Sequence, residues 1–285
     1  MKRDGSRDLY AELGLGYIPR ILALVDRDPL SPTYGCFDKS YWHYKTSDFP
    51  SGMYQECVLP LSLVYKYKFP KGDKYYQAER IRELVEAGIE FAASSSHSDG
   101  STDDYYPFEK ALGASCFSLY GCTESYIELE LENPRAVDFF LKRGGWLLGH
   151  QEAGRLSNHQ ALCALSLYNI YRITGDNKFL EGARTRISLT LEWQSEEGWF
   201  YEYEGADPGY QTFTIFYLAK YFQKSGDSSV LEPLSRAVEF ASYLSIPMGA
   251  TAGNMAAGTP LTFTPAGLKY CLLSFQLRRR LAISF

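Results

Sequence analysis

Ser157-Asn158-His159-Gln160 is the stretch of this sequence whose residue types point most directly to chemistry. An amide beside an imidazole serves two purposes at one point. The amide donates to a carboxylate and offsets its charge, and the imidazole takes or gives a proton near neutral pH. Two acidic stretches could work with this pair: Asp103 and Asp104 in HSDGSTDDYYP, and Glu202 and Asp207 in EEGWFYEYEGADP. Each has a phenol close by, Tyr105 in the first and Tyr210 after the second. The candidate catalytic residues are therefore Asn158, His159, Tyr210, Tyr105, Asp103 and Glu202.

The segments around them are rich in rings and polar groups. Trp42, His43, Tyr44, Asp104, His150, Trp199 and Tyr203 form the candidate substrate-binding set. Aromatic residues make up 15% of the chain, with 23 tyrosines against 17 phenylalanines. A phenol has an apolar face and a wet edge, which suits a cleft that meets water. Rings that stack on an apolar sugar face, with carboxylates, amides and imidazoles between them for the hydroxyls, imply a polysaccharide or oligosaccharide as the partner.

Such residues must be carried by some frame, and the frame shows as an internal repeat. Helix-start signals recur at Ser51, Tyr106-Pro107, Ser157, Asp207-Pro208 and Thr259-Pro260. Ser157 with Gln160 matches a capping box, and Asp207-Pro208 places a capping carboxylate before a first-turn proline. The helices that begin there are apolar on nearly every side, as in ALCALSLYNIYRI over 161–173. They alternate with one-sided helices over roughly 8–25, 74–95, 134–149, 177–195 and 228–246. The one-sided stripe reads Ile81, Leu84, Val85, Gly88, Ile89 and Ala92 in the second of these, and Phe179, Ala183, Ile187 and Leu191 in the fourth. Gly72-Asp73, Gly175-Asp176 and Gly226-Asp227 mark short turns, and Asn133-Pro134 takes their place between the first two.

About five helical hairpins in one domain over 1–285 result, predicting an all-α, α/α-toroid fold. An open superhelix is the alternative, but its repeats are usually shorter than the interval of about fifty residues seen here. Antiparallel hairpins place the long loops before the enclosed helices on one rim, where all four histidines (His43, His97, His150 and His159) fall. Helix N-termini gathered there favour an anion, such as a uronate carboxylate or a sulfated sugar.

The alternating helices, the Asn-His pair at a helix start and the tyrosine-rich mouth resemble the helical domain of heparinase II/III-like and alginate-lyase-like polysaccharide lyases. The resemblance implies β-elimination on a uronic-acid polysaccharide. Asn158 would neutralise the carboxylate, His159 would assist, and Tyr210 or Tyr105 would move the proton. A glycoside hydrolase or an epimerase on the same toroid is the first competing reading. It needs two carboxylates about 6.5–9.5 Å apart for inversion, drawn from Asp103 or Asp104 and Glu202 or Asp207. A non-catalytic module that binds a glycan or a partner is the second. An isoprenoid cyclase is the third, with Ser101-Thr102-Asp103-Asp104 a poor match to its acidic motif.

Other classes are disfavoured by composition. A net charge of −5, with no basic stripe before Arg278, Arg279 and Arg280, leaves no electrostatic basis for nucleic-acid binding. No run of eighteen apolar residues is present, so no membrane span is expected. Cys36, Cys57, Cys116, Cys122, Cys163 and Cys271 form no Cys-x-x-Cys pair and read as free thiols of a cytoplasmic protein. No nucleotide or phosphate motif occurs, so no cofactor is expected. His97, Asp99 and Asp103 come nearest to a metal set but lack a completing ligand, so none is assigned.

Overall fold

A computed structural model describes residues 11–244. The expected fifth enclosed helix from Thr259-Pro260, Cys271 and the Arg278–Arg280 trio lie outside the described residues. After a short helical stretch over 11–15 come α1 (Ile18–Leu24), α2 (Lys39–Trp42) and a 3-10 turn (Gly52–Cys57) running into α3 (Val58–Lys66). Then follow α4 (Glu79–Ser94), α5 (Leu112–Glu128), α6 (Pro134–Gly149), α7 (Ser157–Thr174) and α8 (Asn177–Glu192). A two-stranded hairpin, β1 (Tyr201–Glu202) and β2 (Gly205–Ala206), leads into α9 (Pro208–Ser225), and a 3-10 turn (Ser228–Val230) opens α10 (Leu231–Tyr243). The described residues divide into two compact units, 11–151 with Arg172–Gly175 and Glu152–Tyr171 with 176–244.

The two helix types alternate as the apolar pattern requires. Helix α4 buries Ile81, Leu84, Val85, Gly88, Ile89 and Ala92 on one face, and α8 buries Phe179, Ala183 and Ile187. In contrast, α5 and α7 are buried on most sides, with Leu119, Cys122, Leu162, Leu165 and Ile170 at or near full burial. One stripe means one packed face, and an all-round apolar surface means enclosure. Among the described residues, no helix is long and apolar enough to cross a membrane.

Helix starts follow local chemistry. Asp207 caps α9 by accepting from Gly209 N–H (2.8 Å) and Tyr210 N–H (2.9 Å), with Pro208 in the first turn. Asn133 caps α6 through Arg135 and Ala136 N–H, ahead of Pro134. Gly226 adopts φ 71° and ends α9, and Asp227 caps the turn that follows. Gly175 also adopts a left-handed φ of 73°, and Asp176 caps α8.

Four local readings need correction. The helix expected from Tyr106-Pro107 begins at Leu112 instead. Glu109 accepts from the N–H groups of Asp104, Tyr105 and Tyr106, and Asp103 accepts from those of Phe108 and Lys110, so side chains hold this backbone as a loop. The helix expected over 8–25 is broken by a turn at Gly16-Tyr17, where two glycines precede Pro19. Gly72-Asp73 lies in a turn, but within a longer connection than expected, because α3 ends at Lys66 and α4 starts only at Glu79. The capping box at Ser157 does not form. Ser157 Oγ donates to Tyr201 O (2.8 Å), and Gln160 Oε1 accepts from Arg186 Nη1 (2.6 Å).

Each unit also contains a loop lock absent from the sequence reading. In one unit, Gln55 Oε1 accepts from Phe37 N–H (2.9 Å), while its Nε2 donates to Gly88 O (2.7 Å) and Gly35 O (3.2 Å). In the other, Gln211 Oε1 accepts from Phe200 N–H (2.9 Å), and its Nε2 reaches Gly198 O and Ala237 O, both at 3.5 Å. Gly35 and Gly198 have φ of 86° and 98°, and a Cβ on either would come within 2.3 Å of Ala87 or 2.6 Å of Arg236 backbone. The Gly-x-Phe loop is thus pressed against one helix and tied by a glutamine at the start of the next.

Candidate active site

In the second unit, the N-terminus of α7 meets the β1–β2 hairpin through an antiparallel bridge between Leu156 and Glu202. Glu202 turns inward and is 2% exposed. Its Oε1 accepts from Asn158 N–H (2.6 Å) and its Oε2 from Asn158 Nδ2 (3.0 Å). Glu202 therefore does the capping that Ser157 was expected to do, from a distant segment. Burial is the largest influence on its acidity and pushes the carboxyl up to about 7, against the two hydrogen bonds from Asn158. Asn158 is itself 1% exposed, and its Oδ1 has no hydrogen-bond partner.

His159, the next residue, presents Nδ1 to both oxygens of Glu152, at 2.8 and 3.0 Å. A carboxylate bridging one ring nitrogen fixes the orientation of the imidazole. Both members stay partly accessible, with side-chain exposures of 16% and 21%. Glu152 lies in the loop before α7, so no helical spacing relates it to His159, and nothing in the sequence pointed to the pairing.

Rings surround these groups. Tyr203 is largely exposed and lies 5.4 Å from Tyr210, centroid to centroid. Partial burial, then the Tyr210 hydrogen bond, raises the Tyr203 phenol above its ordinary value. Tyr210, Phe213 and Tyr217 continue as a stripe along α9, and Trp199 packs at 4.7 Å from Tyr201. Tyr203 and Glu204 are the central residues of the hairpin turn, with φ of 49° and 68°. Asn-Gly is the usual solution for such a turn, and each non-glycine residue in this region costs about 1–3 kcal/mol. The second unit thus brings together Asn158, His159, Glu202, Tyr203, Tyr210 and Trp199.

The first unit holds the remaining candidates. Asp103 is 7% exposed and accepts from His97 Nε2 (2.9 Å), Phe108 N–H (2.8 Å) and Lys110 N–H (2.9 Å). Burial raises its pKa, but those hydrogen bonds outweigh it and hold the carboxyl below the ordinary range. Asp104 accepts from Ser51 Oγ (2.5 Å), whose own N–H goes to Asp38 (2.9 Å), so two loops converge there. Tyr105 stands 76% exposed on the same loop. Trp42 donates through Nε1 to Leu24 O (2.7 Å), and the His43 ring lies 5.0 Å from both Trp42 and Tyr44. His150 stacks on Trp146 at 4.3 Å and bonds its carbonyl through Nδ1. Asp99 is engaged by Ser101 and Lys110, and among the described residues no group of three metal-ligating side chains gathers.

No protein family matches this chain, and no curated protein matches it in sequence. Among solved structures it is similar to an unsaturated glucuronyl hydrolase variant from Streptococcus agalactiae in complex with dGlcA-GalNAc6S. The TM-score is 0.57 at 11% identity, over 93% of this chain and 76% of that one. A second variant of unsaturated glucuronyl hydrolase from the same organism matches at a TM-score of 0.55 and 10% identity, with the same coverage. The likeness is one of fold: the chain is an all-α protein of the α/α-toroid class.

Proposed function

We propose that this chain is a carbohydrate-active protein that hydrolyses an oligosaccharide carrying a uronic acid, with its chemistry centred on the N-terminus of α7. The observation that carries this reading is the pairing of two acid–base systems on consecutive residues, Asn158 with Glu202 and His159 with Glu152. A carboxyl pushed up to about 7 still holds a proton near neutrality, as a general acid requires. An imidazole steadied by a carboxylate suits the complementary role of accepting a proton from water. The rings of Tyr203, Tyr210 and Trp199 would stack against sugar, and the shared fold with unsaturated glucuronyl hydrolases supports the substrate class.

β-Elimination is the second reading. It requires the Asn158 amide to neutralise a substrate carboxylate, but that amide already donates to Glu202. That engagement favours hydrolysis.

The two chemistries have opposite optical signs. The full chain is incubated with an unsaturated glucuronyl disaccharide and, separately, with intact uronic-acid polymers, while the ultraviolet absorbance of the conjugated double bond is followed. Hydrolysis of the unsaturated unit makes the disaccharide signal decay. A signal that grows from polymer identifies a lyase instead. Binding with no change in either reaction would leave a glycan-binding module and sink the enzymatic reading.

A further inference from the structure

Arg155 is a cation of the second unit, close to the proposed site, that the acid–base chemistry does not use. The bridge between Leu156 and Glu202 sets the register of the segment before α7 against β1. Alternation along both segments then places Arg155 and Tyr201 on the face away from Glu202. The Arg155 guanidinium lies 3.7 Å from the Tyr201 ring centroid. Packing over a ring fixes the orientation of a guanidinium and leaves edge N–H groups to meet an oxyanion. The ion pair that Arg155 makes is with Glu204, Nη2 to Oε2 at 3.2 Å. Glu204 has 73% side-chain exposure and stands at the second position of the strained hairpin turn, beside Tyr203. An exposed, single-nitrogen pair of this kind is weak and exchanges easily.

We infer that Arg155 reads the anionic group of an acidic sugar, and that Glu204 is a resident carboxylate which this group displaces. The inference rests on the reading that the α7 site binds an oligosaccharide, and it adds the residue that selects an acidic one. A substrate carboxylate or sulfate offers the same oxyanion chemistry as Glu204. It can meet two guanidinium nitrogens rather than one, while its sugar ring lies against Tyr201 or Tyr203. The turn at Tyr203-Glu204 then has a purpose. It projects a ring and a competing carboxylate from neighbouring positions, so that neutral sugars gain the ring alone and acidic sugars gain the ring and Arg155.

The test is calorimetric titration of the full chain with three disaccharides: one ending in glucuronic acid, its carboxyl-reduced counterpart, and the carboxyl-reduced form carrying a sulfate. Wild type should prefer the glucuronate or the sulfated sugar over the neutral one by about tenfold. Whichever anionic sugar shows that preference identifies the group read. Glu204→Gln, which keeps the turn but removes the competing charge, should tighten the preferred acidic sugar by up to about fivefold and leave the neutral one unchanged. Arg155→Gln should abolish the preference, with neutral-sugar affinity retained. A preference that survives Arg155→Gln, or weaker acidic-sugar binding in Glu204→Gln, would overturn the inference while sugar binding itself stands. If no disaccharide binds to any of the three proteins, the inference and the proposed function fail together.

Discussion

Glu202 reaches across from the hairpin to take both the backbone N–H and the side-chain amide of Asn158, at 2.6 and 3.0 Å, and is buried in doing so. One carboxyl therefore caps a helix, ties two segments of the second unit together and holds a proton near neutral pH. Stability and chemistry meet in this contact, and several measurable consequences derive from it and from its neighbours.

The Glu202 contact makes stability depend on pH with a defined sign. Its carboxyl is raised from 4.5 to about 7 in the folded chain. Between those values the folded state binds more protons than the unfolded state, so stability falls as pH rises and levels off above pH 7. The slope is at most about 1.4 kcal/mol per pH unit. Urea denaturation should therefore show the stability of wild type falling relative to that of Glu202→Gln from pH 5 to pH 8. A constant difference would mean that Glu202 ionises as it does in an unfolded chain.

Activity should respond unequally to the two members of the His159–Glu152 pair. Replacing His159 with Ala removes the proton-transfer group and should lower kcat by about 10²–10⁴-fold. Glu152→Gln leaves a hydrogen-bond partner for the ring but removes the charge beside it. It should cause a smaller loss, fall mainly on kcat, and alter the shape of the pH–rate profile. Equal kinetics for Glu152→Gln and wild type, with thermal stability intact, would remove Glu152 from the machinery.

The loop lock can be tested through stability alone. Gly198→Ala forces a Cβ to within 2.6 Å of Arg236 O at a φ of 98°, and should cost about 2–4 kcal/mol. Gln211→Leu leaves Phe200 N–H without its acceptor in a buried place and should cost about 1–3 kcal/mol. Gly154 has a similar φ of 87° but open space around its Cα, so Gly154→Ala should cost less than Gly198→Ala. Chemical denaturation should place Gly154→Ala above Gly198→Ala in stability and show a measurable loss for Gln211→Leu.

Three thiols should be silent in the folded protein: Cys36 and Cys122, which are buried, and Cys57, which is half-buried. Burial pushes Cys36, Cys57 and Cys122 up to about 12, so almost no thiolate exists at neutral pH. Iodoacetamide at pH 8 should leave these three unmodified in buffer and label them in urea, as read by peptide mass spectrometry. Rapid labelling of Cys122 in the native protein would show that the helix α5 opens far more often than its burial implies.

Much of the frame was legible before any coordinates. The one-sided stripe of α4, the all-round apolar runs of α7 and α9, the cap at Asp207 and the turns marked by Asn133-Pro134 and Gly175-Asp176 each follow from neighbours within a few positions in the chain. Periodicity and capping are local physics, so a linear sequence suffices to state them. Where the sequence misled, distant groups or competing side chains intervened. Glu109 and Asp103 captured the N–H groups that would have opened a helix at Pro107, and Glu202 displaced Ser157 as the cap of α7.

The same division runs through the candidate site. Asn158, His159, Glu202, Tyr203, Tyr210 and Trp199 could be named from residue type and from their place before or at the start of an enclosed helix. Their pairing could not. Which carboxylate faces Asn158 and which residue holds Arg155 are settled by a hairpin whose turn, Tyr203-Glu204, lacks the usual turn residues, and which one orients His159 is settled by the loop before α7. By itself the sequence determined a repeating set of amphipathic and enclosed helices and the residues offered at their ends. Tertiary structure alone decided which of those residues share a proton or a charge, because that depends on segments some forty to fifty positions apart meeting within about 3 Å.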